Sequence, residues 1–128
     1  MKYLWDTHAL IWGMENDPLL SRQAQTIAGQ NGNAVSCITL WEVACLEHLR
    51  RIKFSIPLAE WLDAISERLQ VLPITPRIAA VAYDLGSFRG DAADRLIAGT
   101  AIVYGLRVVT RDKYLQTCPK LDRILCIC

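Results

Sequence analysis

Short apolar runs alternate with longer segments of helical periodicity, and this alternation limits the fold more than any other feature of the chain. The runs are nearly continuous in apolar character, which is typical of strands buried on both faces. Five runs predict strands: Tyr3 to Trp5, Ala34 to Ile38, Val71 to Ile74, Val108 to Thr110 and Ile124 to Ile127. Six segments predict helices: Thr7 to Met14, Ser21 to Ala28, Leu40 to Arg50, Leu58 to Leu69, Pro76 to Leu85 and Ala92 to Tyr104.

The order of these elements predicts a single α/β domain over residues 1–128, with three layers, α/β/α, and a central parallel sheet of four to five strands. The chain has 128 residues, 52% of them hydrophobic, which is enough to cover both faces of a small sheet with helices. Pro73 has no N–H for a strand ladder, so its strand is predicted to lie at a sheet edge.

Membrane-spanning and disulfide-rich classes are both disfavoured. No apolar stretch reaches the roughly 18 residues of a membrane span, and Asp6 interrupts the N-terminal run too early for a signal peptide. We therefore expect a soluble, cytoplasmic protein without membrane contact. Five cysteines, an odd number without paired C-x-x-C clusters, favour reduced thiols over a disulfide or zinc framework.

The charge balance offers no strong field to a polyanion, because the formal net charge is +1. Any affinity for nucleic acid must therefore be local or assembled. The densest basic cluster, Arg50, Arg51 and Lys53, follows the third predicted helix. Cations at a helix C-terminus complement the macrodipole and are usually only solvated, so a binding role for this cluster stays open.

Four carboxylates stand where an apolar run gives way to a helix-start signal: Asp6, Glu42, Asp94 and Asp112. In open α/β sheets, sites form outside the carboxyl ends of the strands, so these junctions are expected to share one edge. That edge is the predicted functional site.

Each acid also has an ordinary explanation in helix capping. Asp6 is a preferred N-cap type for the helix that starts at Thr7, and Asp112 can cap a following turn. The segment Thr39-x-x-Glu42 matches a capping box. Asp91-x-x-Asp94 fits an N-cap followed by a first-turn acid. Capping and metal binding therefore compete as interpretations at every one of these positions.

Capping alone explains Asp94 poorly, because the helix that carries it is apolar nearly all round, and the helix around Glu42 is similar. A buried carboxylate costs free energy unless a cation or hydrogen bonds compensate. Acids brought to about 5 Å repel by about 3 kcal/mol per pair at an effective dielectric near 20. A divalent cation reverses that balance, and an all-oxygen ligand set favours Mg²⁺ or Mn²⁺ over zinc.

Such a site suits phosphodiester chemistry, in which the metal neutralises phosphate oxygens and lowers the pKa of a bound water. The sequence contains no P-loop, GxSxG or GxGxxG pattern that offers competing chemistry. His8 and His48 are the two histidines, and neither has a partner at metal-ligand spacing. Each is therefore interpreted as a plain surface or packing residue.

Four motifs, in order along the whole chain, resemble those of PIN-domain ribonucleases, in particular the VapC-type toxins of bacterial toxin–antitoxin modules. They are Asp6-Thr7-His8, Thr39-Leu40-Trp41-Glu42, Asp94-Arg95-Leu96-Ile97-Ala98-Gly99-Thr100-Ala101 and Thr110-Arg111-Asp112. Many relatives have Asp-Pro before the third acid, where this chain has Asp91-Ala92-Ala93.

The resemblance implies a role for each of these acids and for two hydroxyls. Asp6, Glu42, Asp94 and Asp112 would be the catalytic, metal-binding acids, with Thr7 and Thr110 supporting them through hydrogen bonds. The implied activity is Mg²⁺- or Mn²⁺-dependent endonucleolytic cleavage of RNA. The implied partners are an RNA substrate, a cognate antitoxin protein that covers the active site, and a second copy of the chain in a homodimer.

Two other function classes stay open at this point. A phospho-receiver signalling domain is of similar length, is also α/β and binds Mg²⁺ at acidic strand ends. Receivers usually carry adjacent acids after the first strand, however, and Trp5-Asp6-Thr7 supplies one. The other class is a catalytically silent interaction module with the same fold.

Overall fold

The structure, a computed structural model, describes residues 1–18, 20–86, 91–110, 115 and 118. Within these residues the chain forms four strands: β1 (Tyr3–Trp5), β2 (Asn33–Ser36), β3 (Gln70–Leu72) and β4 (Arg107–Val109). It also forms six helices: α1 (Thr7–Met14), α2 (Arg22–Ala28), α3 (Cys37–His48), α4 (Leu58–Arg68), α5 (Pro76–Tyr83) and α6 (Ala92–Tyr104). The predicted strand from Ile124 to Ile127 lies outside the described residues.

The four strands form one parallel sheet in the order β3-β2-β1-β4. Trp5 at the end of β1 is in register with Val35 of β2 on one side and with Val109 of β4 on the other. The strand with Pro73 beside it does lie at an edge, as predicted, although Pro73 itself follows β3. The predicted α/β fold with a central parallel sheet is confirmed.

Two hydrophobic cores lie on opposite faces of the sheet, because successive strand side chains point to opposite sides. Leu4, Ala34 and Val108 pack with α6 residues such as Ile97 and Ala98. Trp5, Val35 and Val109 pack with residues of α1, α2 and α4. The sheet is therefore covered on both faces, and its short strands are apolar throughout for that reason.

The connections reverse direction across β1. From β1 the chain moves outward to β2 and then to β3, whereas α5 and α6 carry it back to β4 on the other side of β1. A point where strand order reverses leaves a crevice at the carboxyl ends of the two strands that flank it. Here that crevice lies between the ends of β1 and β4, where Asp6 and Thr110 stand.

Two predicted boundaries were wrong at the β2–α3 junction. Strand β2 ends at Ser36 rather than Ile38, and α3 begins at Cys37 rather than Leu40. The cause is Ser36, whose hydroxyl accepts a hydrogen bond from the Ile38 N–H at 3.3 Å and caps the helix. Other ends differ by one or two residues: α3 ends at His48 rather than Arg50, β3 at Leu72 rather than Ile74, α4 at Arg68 rather than Leu69, and α5 at Tyr83 rather than Leu85.

Helix α6 packs closely on α5 through a glycine. A Cβ built on Gly99 would lie 3.0 Å from the carbonyl oxygen of Ile78 and 3.1 Å from the Cβ of Ala82. Five consecutive residues of α6, from Ile97 to Ala101, are buried as a result. The helix ends at Gly105, whose φ of 66° is a left-handed conformation that glycine adopts without strain.

Helix α3 is not covered on all sides, in contrast to the expectation from its apolar sequence. Trp41 is 66% exposed and Leu49 is 60% exposed. Cys37 and Cys45 on the same helix and Cys118 are free thiols, and the other two cysteines, Cys126 and Cys128, lie outside the described residues. Among the residues that the structure describes, no helix is both long and apolar enough to cross a membrane.

Candidate active site

A cavity of about 140 Å³ lies at the carboxyl edge of the sheet, next to the point where the strand order reverses. We call it the acidic cavity, and its lining residues are Asp6, Thr7, His8, Glu42, Asp91 and Asp94. Three of the four predicted acids therefore meet here from three separate elements of the fold. The fourth, Asp112, lies outside the described residues.

Asp6 is both a helix cap and the most buried acid of this cavity, with 6% of its surface exposed. Its Oδ1 accepts a hydrogen bond from the Ala9 N–H at 2.8 Å, which caps α1. Its Oδ2 accepts a hydrogen bond from the Thr110 hydroxyl. The Asp6 N–H donates to the Val109 carbonyl at 3.1 Å, so the backbone here is tied to the end of β4.

Glu42 lies in the second turn of α3, so the predicted capping box at Thr39 and Glu42 was wrong. Ser36 takes the N-cap position three residues earlier, which leaves Thr39 buried inside the helix. The Glu42 carboxylate instead accepts a hydrogen bond from the Thr7 hydroxyl at the start of α1. This contact joins two elements 35 residues apart and turns Glu42 toward the acidic cavity.

Asp94 takes part in a capping box at the start of α6. The Asp91 carboxylate accepts from the Asp94 N–H at 2.9 Å, and the Asp94 carboxylate accepts from the Asp91 N–H at 3.4 Å. Capping and cavity lining are therefore combined at this position, as they are at Asp6. The guanidinium of Arg95, the next residue, donates to the Tyr83 carbonyl at 3.1 Å.

The two hydroxyl contacts expected for Thr7 and Thr110 are present. Each threonine lies directly beside a carboxylate of the cavity, Thr7 beside Glu42 and Thr110 beside Asp6. Both threonines are buried. A buried hydroxyl that donates to a carboxylate stabilises the charged form and fixes its orientation.

His8 is the cavity residue that sequence reasoning missed. It was interpreted as a plain surface or packing residue, yet it lines the cavity two positions after Asp6. Its ring is exposed and stacks on Trp12, with 6.4 Å between ring centroids and 26° between planes. The available signal was its place in the first turn of α1, where the side chain stays near the helix start.

The basic cluster is remote from this cavity. It follows the end of α3, a 12-residue helix that starts at the carboxyl edge and extends about 18 Å. Arg50, Arg51 and Lys53 are exposed and do not line the acidic cavity. The choice between solvated surface and binding patch therefore stays open for them.

The donor set suits a hard divalent cation, because every acid that lines the cavity offers carboxylate oxygens. In the described part of the chain, however, no three acidic, histidine or cysteine side chains already form a group arranged to hold a metal ion. Protein donors occupy some of these oxygens in the present arrangement. An ionised carboxylate has about four lone-pair positions, so a hydrogen bond to it does not by itself prevent the same group from binding a cation.

Comparisons with known proteins agree with this fold. The family model of the PIN domain matches residues 3–121. The chain therefore belongs to the PIN domain family. It is 40% identical over 116 residues to Ribonuclease VapC22 of Mycobacterium tuberculosis (strain ATCC 25618 / H37Rv), which covers 89% of each chain. The predicted resemblance to the VapC type is confirmed.

Solved structures show the same architecture. The DNA-bound VapBC structure from Salmonella typhimurium matches with a TM-score of 0.72 and 25% identity, over 100% of this chain and 99% of that chain. VapBC2 from Rickettsia felis, bound to a promoter DNA fragment, matches with a TM-score of 0.71 and 19% identity, over 98% and 97% of the two chains.

Proposed function

We propose that this protein is a Mg²⁺- or Mn²⁺-dependent endoribonuclease that hydrolyses RNA phosphodiester bonds. The observation that carries the proposal is the meeting of Asp6, Glu42 and Asp94, from three separate elements, in one cavity at the carboxyl edge of the sheet. We assign these three acids and Asp112 as the catalytic, metal-binding residues. The similarity to a protein named a ribonuclease supports the same activity.

Electrostatics supports a cation in this cavity. Asp6 is buried and shares the cavity with two further acids besides Asp91, so their charges repel one another at short range. Capping explains the bonds that Asp6 and Asp94 make at their own helix starts, but it does not explain Glu42, which caps no helix. A divalent ion relieves the repulsion, and binding it would explain why all three acids lie in one cavity.

The chain's own residues hold the site in place for in-line attack of water on phosphate. When bound, a divalent ion supplies charge neutralisation at phosphate oxygens and a water of lowered pKa. Thr110 and the Ala9 N–H fix the two oxygens of Asp6, and Thr7 fixes Glu42. Asp6 and Asp94 are assigned to metal binding together with Asp112, and Glu42 either binds a second ion or orients the water.

The strand order disfavours the phospho-receiver alternative. Receiver-type doubly wound sheets have the order 2-1-3-4-5, which places the first strand between the second and the third. Here β1 lies between β2 and β4, and β3 pairs with β2 at the edge. Glu42 and Asp94 also lie within helices rather than at strand ends.

We further propose that the protein acts in the cytoplasm as the toxin of a toxin–antitoxin pair, inhibited by a cognate antitoxin, and that it forms a homodimer. The VapBC structure from Salmonella typhimurium, similar over the whole chain, supports an antitoxin partner. Two exposed apolar side chains, Trp41 on α3 and Leu49 directly after it, support a protein interface along that helix. Light scattering of the purified chain tests the dimer, and co-purification with the product of an adjacent gene tests the antitoxin.

Metal-dependent cleavage of RNA tests the nuclease proposal. The purified protein is incubated with total RNA in Mg²⁺, in Mn²⁺ and in EDTA, and 5′ ends of the fragments are sequenced. We expect discrete cuts with either metal and none in EDTA. Asp6→Asn should abolish cleavage while the protein stays folded, because asparagine is as good an N-cap as aspartate.

Asp63→Asn is the matched control, since it makes the same chemical change at an exposed position on α4. It should cleave RNA at the wild-type rate. Wild-type cleavage by Asp6→Asn would overturn the site assignment. Absence of both cleavage and Mn²⁺ binding in the wild-type protein would favour the silent interaction module instead.

A further inference from the structure

Among the described side chains that line the acidic cavity, few can contact a phosphate directly. Ionised carboxylates only accept hydrogen bonds, and phosphate oxygens are acceptors too. Four of the six lining side chains are carboxylates: Asp6, Glu42, Asp91 and Asp94. Among the described side chains that line the cavity, direct contact with a bound phosphate therefore depends on Thr7 and His8.

The Thr7 hydroxyl is already used. A threonine hydroxyl has a single hydrogen to donate, and this one goes to the Glu42 carboxylate. Arg95, which follows Asp94, is turned away from the cavity. Its guanidinium donates to the carbonyl oxygens of Tyr83 at 3.1 Å and Gly86 at 3.4 Å, at the end of α5.

His8 brings the remaining donor. Among the side chains of described residues that line the acidic cavity, it alone carries an N–H group. An imidazole has at least one N–H in either protonation state, so the donor does not depend on titration. Stacking on Trp12 restricts the ring, and its exposure leaves it accessible to a ligand.

We propose that His8 is a substrate-binding residue that donates a hydrogen bond to a phosphate oxygen of the RNA held at the acidic cavity. This inference rests on the proposed ribonuclease function and identifies a side chain that binds the RNA backbone next to the cleavage site. Because the proposed role is binding and orientation of the substrate, removing the donor should weaken RNA binding rather than slow the chemical step.

Two substitutions separate the N–H group from the ring. His8→Phe keeps a ring that can stack on Trp12 but removes the donor, whereas His8→Gln keeps an N–H donor but removes the ring. His48→Phe is the matched control, because His48 is the second of the two histidines and is exposed in the last turn of α3, away from the cavity.

Two readouts are needed. KM and kcat are measured with an oligoribonucleotide that the wild-type protein cleaves. Fluorescence anisotropy then measures the Kd of the same labelled oligoribonucleotide, in Mg²⁺, for each change made in the cleavage-deficient Asp6→Asn background. Circular dichroism confirms folding, which should be unaffected because His8 is exposed.

We expect His8→Phe to raise KM and Kd about tenfold, the scale of a lost hydrogen bond to a charged group, with little change in kcat. His8→Gln and His48→Phe should stay close to wild type in both readouts. Equal KM and Kd values for His8→Phe and His48→Phe would overturn the inference. So would a loss with His8→Gln but not with His8→Phe, because that pattern indicates ring stacking.

A fall in kcat at constant KM would also contradict the binding role and would assign His8 an effect on the acids instead. If the wild-type protein cleaves no RNA in either metal, the proposed function fails first, and this inference fails with it. If the wild type cleaves and His8→Phe is unaffected, only the inference about His8 is lost.

Discussion

The starts of α1 and α6 carry the same local device in two different surroundings. Asp6 and Asp91 are both N-caps, and each accepts a hydrogen bond from the N–H three residues ahead, at 2.8 Å and 2.9 Å. Asp6 nevertheless is buried and also bonded to Thr110, whereas Asp91 is exposed. The capping bond therefore marks only where a helix starts. The position of that start relative to the sheet decides whether the capping acid is buried.

The cause of this difference is the place of each helix relative to the sheet. Helix α1 leaves the central strand β1 at the point where the strand order reverses, so its cap is enclosed between β4 and α3. Helix α6 enters from the side of α5. Its cap, Asp91, is exposed and the next acid, Asp94, is half-buried, although both line the cavity.

The largest expected effect is a difference in RNA cleavage between variants of the two acids of the α6 capping box. We expect Asp94→Asn to lower RNA cleavage at least about 100-fold, the scale of losing one group that stabilises developing charge. Asp91→Asn should stay within about threefold, because asparagine preserves the cap. Initial rates with a single oligoribonucleotide measure both. An equal or greater loss for Asp91→Asn would contradict the distinction between the exposed cap and the half-buried acid.

The next effect concerns how closely α6 is seated on α5. Gly99→Val places side-chain atoms against the Ile78 carbonyl and Ala82, so the helices must separate. We expect a loss of roughly 2 to 3 kcal/mol in the free energy of unfolding, measured by urea denaturation. Ala80→Val, an exposed change to valine on α5, should cost less than about 0.7 kcal/mol. Similar values for both would contradict close packing here.

A smaller effect on stability tests the hydrogen bond from Thr110, which Asp6 accepts in addition to its capping bond. Thr110→Val keeps the shape of the side chain but removes the hydroxyl that donates to the buried Asp6 carboxylate. We expect a loss of about 2 kcal/mol in unfolding free energy, because a charged acceptor loses its partner.

Thr100→Val is the matched change, since Thr100 is equally buried but donates to the Leu96 carbonyl of its own helix at 2.7 Å. That carbonyl already accepts a helical hydrogen bond, so the cost should stay below about 1 kcal/mol. If Thr100→Val lowers the unfolding free energy as much as Thr110→Val, the hydrogen bond to Asp6 contributes no more than an ordinary one.

The smallest effect is the loss of an exposed cap. Asp91→Ala should lower the unfolding free energy by about 1 kcal/mol, the usual value of an N-cap side chain. Ser21→Ala removes the same kind of bond at the start of α2, where the Ser21 hydroxyl accepts from the Ala24 N–H at 3.1 Å. A much larger loss for Asp91→Ala would indicate that Asp91 contributes more to the protein than a cap.

Local signals predicted much of the fold. The bounds of α1 and α6 agree with the predicted segments because each has an aspartate cap, and α6 also has a closing glycine, all within a few residues. The predicted start of α3 was wrong because two capping signals compete there. Ser36 and Thr39 both offer a hydroxyl, and burial of the end of β2 favours the earlier one.

The sequence by itself determined the alternation of strands and helices, the parallel sheet and the acids at the helix starts, because periodicity and capping act over a few residues. The tertiary structure alone decided which acids share a cavity. Contacts such as Thr7 to Glu42 and Thr110 to Asp6 join residues 35 and 104 positions apart. Such pairs depend on strand order and on how helices cover the sheet, and no short segment of the chain encodes either.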